Sequence, residues 1–214
     1  MEIERLLADS LHTGFIDASY NSREEYQPQL LINDSNRGRK VLSSILSELE
    51  DCQEFLFSVA FITQGGVTVL LNALSELHTR GVKGKILTSS YQNFTDPRAL
   101  QRLMLFDNLQ IKILTDANHH AKGYYFRKRE TDVAIIGSSN LTQDALTKNN
   151  EWNLKITSIE SGKVVREILA EFETDFNRAQ WVDEGWLAGY QEYYSQIQRK
   201  PYSVVPDYGR RPVF

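Results

Sequence analysis

From Lys40 to Leu49 the apolar residues Val41, Leu42, Ile45, Leu46 and Leu49 recur every three or four positions, a period that predicts an amphipathic helix. Phe55-Leu56-Phe57-Ser58-Val59-Ala60-Phe61-Ile62 follows as a nearly continuous apolar run, the pattern of a strand buried on both faces. Gly65-Gly66 ends that strand, and Val67 to Leu77 predicts a helix laid over the sheet. Lys85-Ile86-Leu87-Thr88 reads as the next strand. Asp96-Pro97 then supplies a capping aspartate and a proline at the first helical position, with Leu100, Leu103, Met104 and Phe106 facing inward. Ile111-Lys112-Ile113-Leu114 is a further strand. This alternation predicts an α/β domain with a mixed, largely parallel sheet flanked by helices on both faces, its ligand edge at the carboxyl ends of the parallel strands.

Beyond that core, Tyr124 to Lys128 and Asp132 to Ile136 are joined by a short polar turn and predict an antiparallel hairpin. A long helical pattern runs from Gly162 to Ala179, with Val165, Ile168, Leu169, Phe172 and Phe176 on one face. A last helix is expected over Glu184 to Arg199, where Trp186, Tyr190, Tyr193 and Ile197 form a stripe that suits core packing better than base stacking. Residues 1–37 alternate short apolar and polar pieces and are expected to form a loop-rich arm, with contacts at Thr13 to Asp17 and Pro28 to Asn33. Pro201, Pro206 and Pro212 interrupt a tail without periodicity. One domain over residues 1–200, followed by a linker or strap over 201–214, is the expected organisation.

Composition narrows the class. With 41% hydrophobic and 24% charged residues, the chain falls among globular proteins able to bury a core. Its 24 Lys and Arg against 28 Asp and Glu give a formal charge of −4, so no global basic field marks a nucleic-acid binder and any such site is local. The single cysteine, Cys52, has no internal disulfide partner, which fits a reducing compartment. The first residues lack a secretory pattern and no apolar run reaches membrane-spanning length. A cytoplasmic location without membrane contact is expected.

The candidate chemistry lies between His119 and Asn153. On a strand, His120 and Lys122 project together while His119 and Ala121 point the other way, so a nucleophile and a fixed cation share one site. Gly137-Ser138-Ser139-Asn140 offers a glycine for close backbone approach, two hydroxyls and an amide, all suited to neutral donation toward phosphate oxygens. It precedes a helical run from Thr142 to Leu146, which adds a helix N-terminus. Glu151 is placed to orient the His120 imidazole by accepting its second N–H. His12, His78 and His119 read as structural, while Arg127, Lys128 and Arg129 are ambiguous between a functional basic run and a solvated hairpin turn. No carboxylate cluster of the kind that holds divalent cations is evident, so neither metal nor cofactor is expected.

His120-x-Lys122, Gly137-Ser138-x-Asn140 and the later Glu151 together resemble the signature of the phospholipase D superfamily. The resemblance covers the central half of the chain and is nearest to small bacterial endonucleases and metal-independent restriction endonucleases, which carry one motif per chain. It implies a histidine nucleophile that forms a covalent phosphohistidine, a second histidine as general acid, and no metal. Carried over by position, His120 is the nucleophile or acid, Lys122, Ser138 and Asn140 hold the phosphate, and Glu151 orients. Arg127 stands where the family has an aspartate, a departure that counts against a lipase more than a nuclease. Phe57 to Thr63, Gly137 to Thr142 and Asn150 to Asn153 also resemble the N-terminal module of some DEAD/DEAH-box helicases. Without a G-x-x-x-x-G-K-[ST] loop the chain is not itself the motor.

The leading function is therefore a metal-independent phosphodiesterase acting on DNA or RNA. One histidine cannot serve both sides of an in-line phosphorus in a single step, so a homodimer is expected to complete the site. The alternative is a catalytically silent nucleic-acid-binding or targeting module, attached to a helicase in the same or a partner chain. A phospholipase ranks third, because no lipid-facing segment appears and the motif is single.

Overall fold

A computed structural model describes residues 2–115 and 119–198. In chain order its elements are α1 (Glu2–Phe15), β1 (Gln29–Leu31), α2 (Val41–Glu50), β2 (Glu54–Val59), α3 (Gln64–Thr79), β3 (Lys83–Ser89), α4 (Pro97–Leu103) and β4 (Leu109–Leu114). β5 (Lys122–Arg127), β6 (Asp132–Gly137), α5 (Gln143–Thr147), β7 (Asn153–Ser158), α6 (Lys163–Arg178), β8 (Gln180–Trp181) and α7 (Glu184–Gln198) follow. The strands form one sheet in the order β1-β7-β6-β5-β2-β3-β4-β8.

The sheet is mixed, as its pattern predicted, but it is not largely parallel. Among the described residues only β2–β3 and β3–β4 pair in parallel, and the remaining pairs are antiparallel. The reason lies in the connections. Helices α3 and α4 return the chain to the same end of the sheet, which makes the next strand parallel. Only residues 115–121 join β4 to β5, too few for the helical crossover that a parallel partner needs. β5 therefore runs against β2, a four-residue turn returns the chain as β6, and the longer connection through α5 brings β7 in antiparallel to β6.

One face of the sheet carries the main core. Phe55, Phe57 and Val59 of β2, with Tyr124 and Phe126 of β5, pack against Val41, Ile45 and Leu49 of α2 and Val67, Leu70, Leu74 and Leu77 of α3. The ring of Phe57 sits 5.0 Å from those of both Phe55 and Tyr124. α7 joins this face through Trp186, Leu187, Tyr190 and Tyr194, whereas Tyr193, expected in the stripe, is 53% exposed. On the other face α6 alone buries Leu56, Leu87, Leu114 and Tyr125, through Val165, Phe172 and Phe176. That helix leaves the β6–β7–β1 half uncovered, where Ile136, Leu154 and Leu30 are cross-strand neighbours and all exposed.

Two local expectations are corrected. Residues 1–37 are not a loop-rich arm throughout, because Glu2–Phe15 is helical, with Glu2 and Glu4 in its first turn, where carboxylates favour the helix dipole. Gly65 and Gly66 do not break a strand but lie in the first turn of α3, capped by the Thr63 hydroxyl. Cys52 is buried at the end of α2, and burial raises its thiol pKa to about 11. The tail over 201–214 lies outside the described residues. No helix among those described is long and apolar enough to cross a membrane.

Candidate active site

Register decides which residues meet. Lys122 opens β5 opposite Val59, the last residue of β2, and Gly137 closes β6 opposite Asn153, the first of β7. The antiparallel course of β5, β6 and β7 thus brings the His120 segment, the Gly137 loop and the Glu151 segment to one edge, beside the carboxyl end of β2.

His120 precedes the strand rather than lying on it, so strand alternation is not what unites the pair. Lys122 instead folds back: its Nζ lies 2.7 Å from His120 Nδ1, 3.1 Å from Nε2 and 2.7 Å from the His120 carbonyl oxygen. His120 is exposed, whereas Lys122 is buried. Loss of solvation lowers the lysine pKa, and the Glu151 carboxylate pulls it back up. A desolvated ammonium beside an accessible imidazole suits an anionic ligand well.

The Gly137 loop is locked from both sides. A Cβ on Gly137 would stand 2.2 Å from the Trp152 carbonyl oxygen, so only glycine allows the Glu151 segment so close. Across this gap the Ser138 N–H donates to the Trp152 carbonyl at 3.1 Å, and the Trp152 N–H returns to Ser138 Oγ at 3.1 Å. The Ser138 hydroxyl itself donates to the Glu151 carboxylate. Asn140 is buried, and its Oδ1 accepts the Phe61 N–H at 3.2 Å, which fixes the amide and leaves its NH2 group a pure donor. On the far side, the Thr63 N–H donates to the Leu141 carbonyl at 3.1 Å. Here a Cβ on Gly66 would fall 2.0 Å from that same oxygen.

Two expectations about this loop change. Glu151 accepts from Ser138 rather than from the imidazole, and its charge is felt at Lys122. Thr142 does cap the following helix, but α5 has only five residues and so carries little of a macrodipole. Residues that the sequence did not single out complete the support. Asn153, 1% exposed, receives the Ser139 N–H at 3.2 Å and donates to Ser139 Oγ at 2.9 Å, while the Tyr124 hydroxyl donates to the Ser139 carbonyl at 3.0 Å. A polar residue two positions beyond Glu151 at the head of a strand was the available signal.

Residues 45–179 match the family model described as cardiolipin synthase, PLD-like domain. The chain belongs to this PLD-like family. No curated protein matches it by sequence. Among solved structures it is similar to NucT from Helicobacter pylori, with TM-score 0.59 and 16% identity over 73% of this chain and 99% of that one. It is similar too to the phospholipase D family member Nuc from Salmonella typhimurium, with TM-score 0.56 and 19% identity over 74% and 100% of the two chains. Phosphatidylserine synthase from Haemophilus influenzae aligns with TM-score 0.56 and 11% identity over 80% of this chain but 46% of that one. The mixed sheet flanked by helices is therefore the PLD-like fold.

In this PLD-like chain His119 lies beside the candidate pair but turns into the fold, and Arg127 and Lys128 lie apart from it. His119 is 6% exposed, with Nε2 3.2 Å from Ser58 Oγ and Nδ1 3.6 Å from Asp175 Oδ2. Burial lowers its pKa, against the opposing pull of Asp175. Arg127, where the family aspartate is expected, closes the opposite end of β5 from Lys122. It bridges Glu54 at 3.0 Å and Asp132 at 3.7 Å. Lys128 pairs with Glu48 at 2.8 Å and Asp51 at 2.6 Å, so these two are anchored ion pairs and not a freely solvated turn.

A groove of about 500 Å³ opens between α6 and the uncovered sheet, with His120 and Lys122 among its lining. Its sheet wall is apolar, including Leu56, Tyr125 and Ile136, while α6 contributes Glu167, Glu171 and Asp175. Glu167 pairs with Lys163 and Asp175 with Arg178, so the helix side of the groove offers a polyanion no net attraction.

Proposed function

We propose that this PLD-like chain is a phosphodiesterase of the nuclease type, acting on DNA or RNA, with His120 as nucleophile. The observation that carries the proposal is the fold-back of Lys122 onto His120, at the sheet edge that also holds Ser138 and Asn140. One buried cation, one accessible imidazole and neutral donors suit a phosphodiester, which presents a single negative charge and a reactive phosphorus. Among the described residues no three His, Cys, Asp or Glu side chains are grouped as a metal ion would require, and in this reading Lys122 supplies the fixed charge.

An imidazole nitrogen of His120 attacks phosphorus, the P–N bond forms as the P–O bond to the leaving strand breaks, and the leaving oxygen takes a proton from a second histidine. Water, deprotonated by that second histidine, then cleaves the P–N bond and restores His120. His119 is buried between Ser58 and Asp175 and is poorly placed for the acid role. His120 of a second copy supplies it in this scheme, with pairing through the uncovered, apolar half of the sheet. Ser138, Lys122 and Asn140 hold the phosphate, and Glu151 positions Ser138 and sustains the charge on Lys122.

Sequence likeness to helicase N-terminal modules extends the proposal to a motor in the same or a partner chain that delivers strand to the site. Cleavage of single-stranded and duplex DNA and RNA in chelator, with and without such a motor and ATP, tests the reading. The parent protein should cleave, and His120→Asn should bind without cleaving. Binding without cleavage by the parent on every substrate would leave a targeting module instead.

A further inference from the structure

Two exposed aromatic side chains are linked to loop residues of the candidate phosphate site, Trp152 through its backbone to Ser138 and Phe94 through ring packing on Phe61. Trp152 is 75% exposed, yet its N–H and carbonyl are both tied to Ser138. Phe94 is 52% exposed and packs on Phe61 with ring centroids 5.3 Å apart. Phe61 is the residue whose N–H holds Asn140 at 3.2 Å. Thr95, next to Phe94, is fully buried, donates to the Ser89 carbonyl at 2.7 Å and receives the Tyr190 hydroxyl at 2.8 Å on its own carbonyl. Each ring therefore offers a face to solvent from a segment already ordered, which lowers the entropy that a ligand must overcome to use it.

Large aromatic groups exposed beside a single buried cation are an uneconomical way to hold phosphate, but they are what stacking requires. A base in a duplex has both faces covered by its neighbours, whereas a base in a single strand has a face to offer, and base–aromatic stacking is tolerant of sequence. The third wall adds no attraction, because the α6 side of the groove carries Glu167, Glu171 and Asp175, of which Glu167 pairs with Lys163 and Asp175 with Arg178. We infer that the site takes single-stranded nucleic acid, with a base on one side of the bound phosphate stacked on Trp152 and a base on the other side stacked on Phe94. This rests on the phosphodiesterase reading above and adds to it the strand preference and the two residues that set it.

The test is binding of the full chain carrying His120→Asn, followed by fluorescence anisotropy in chelator. The probes are a labelled single-stranded oligonucleotide, the same oligonucleotide in a duplex, and an abasic strand with the same number of phosphates. The base-bearing single strand should bind about tenfold or more tightly than the abasic strand, the size expected of stacked bases, and more tightly than the duplex. Trp152→Ala and Phe94→Ala should each erode that advantage while leaving abasic affinity unchanged, with Trp152→Phe and Phe94→Tyr restoring most of it. Phe15→Ala, which removes an exposed aromatic of α1, should change nothing. Equal affinity for abasic and base-bearing strands would overturn stacking and leave the phosphate site standing. Sedimentation of the variants guards against another role for the tryptophan: if Trp152→Ala weakens both strands alike and splits a dimer, Trp152 is a contact between copies and the inference is wrong. Failure to bind any probe would overturn the phosphodiesterase reading itself.

Discussion

Lys122 and His119 are both titratable, both buried and both shifted by desolvation, yet they differ in what their protons do. For Lys122 the shift is downward from the ordinary 10.5, so its ammonium is surrendered earlier than an exposed lysine's as pH rises. Oligonucleotide affinity should accordingly fall at a pH below 10.5, and Lys122→Arg, which stays protonated, should move that fall upward. Anisotropy titrations across alkaline pH check this. For His119 the folded pKa lies below the unfolded value of 6.5, so the unfolded chain binds the extra proton first. Stability from the neutral ring is complete above 6.5 and is lost as pH falls through the lower folded value. His119→Gln should flatten that acid-side loss in urea midpoints, and His119→Ala should cost ~1 kcal/mol by removing its bonds to half-buried Ser58 and Asp175, while His120→Ala should abolish cleavage without unfolding the chain. The spacing of His120 and Lys122 was legible in the sequence. The setting of His119 was not, because its partners Ser58 and Asp175 come from β2 and α6, each more than fifty residues away, and no local pattern encodes such a meeting.

At the scale of elements, the α/β alternation through β4 was readable because α2, α3 and α4 each carry a clear apolar stripe and α4 its Asp96-Pro97 start. The hairpin of β5 and β6 was also legible as antiparallel, but the sheet as a whole was expected to be largely parallel. The missing clue was connection length, since seven residues between β4 and β5 forbid a crossover, and that reversal is what assembles the site edge. α1 escaped notice because it buries only Leu7 and Ser10 while Leu11 and Phe15 stay exposed, so its apolar residues do not mark one clean core face. The glycines of the motif, in contrast, have a definite structural meaning. Gly137→Ala would drive a methyl into the Trp152 carbonyl, and Gly66→Ala into the Leu141 carbonyl. Both obstacles are backbone, which cannot swing aside as a side chain can. Each substitution should therefore cost ~1–3 kcal/mol, as overpacking does, measured by denaturant midpoint. Gly137→Ala should also reduce cleavage in the fraction that remains folded, because it pries Ser138 from Glu151.

For the molecule as a whole, α6 covers one half of its sheet face and leaves Ile136, Leu154 and Leu30 open to solvent. In the proposed scheme a second copy covers this apolar row and brings a second histidine to the phosphate. Leu154→Glu with Ile136→Glu should leave a folded monomer that no longer cleaves, as read by sedimentation and a cleavage assay side by side. Full activity in that monomer would remove the need for a partner. The central claim concerns a bond, and it is tested most directly by an alkaline denaturing quench, which preserves an acid-labile P–N bond, during turnover of an oligonucleotide in chelator, then mapping the modified peptide by mass spectrometry at neutral to alkaline pH. The account predicts a phosphate-linked nucleotide on the imidazole of His120, absent from His120→Asn. Cleavage that proceeds with no histidine adduct and requires an added divalent metal ion would contradict it.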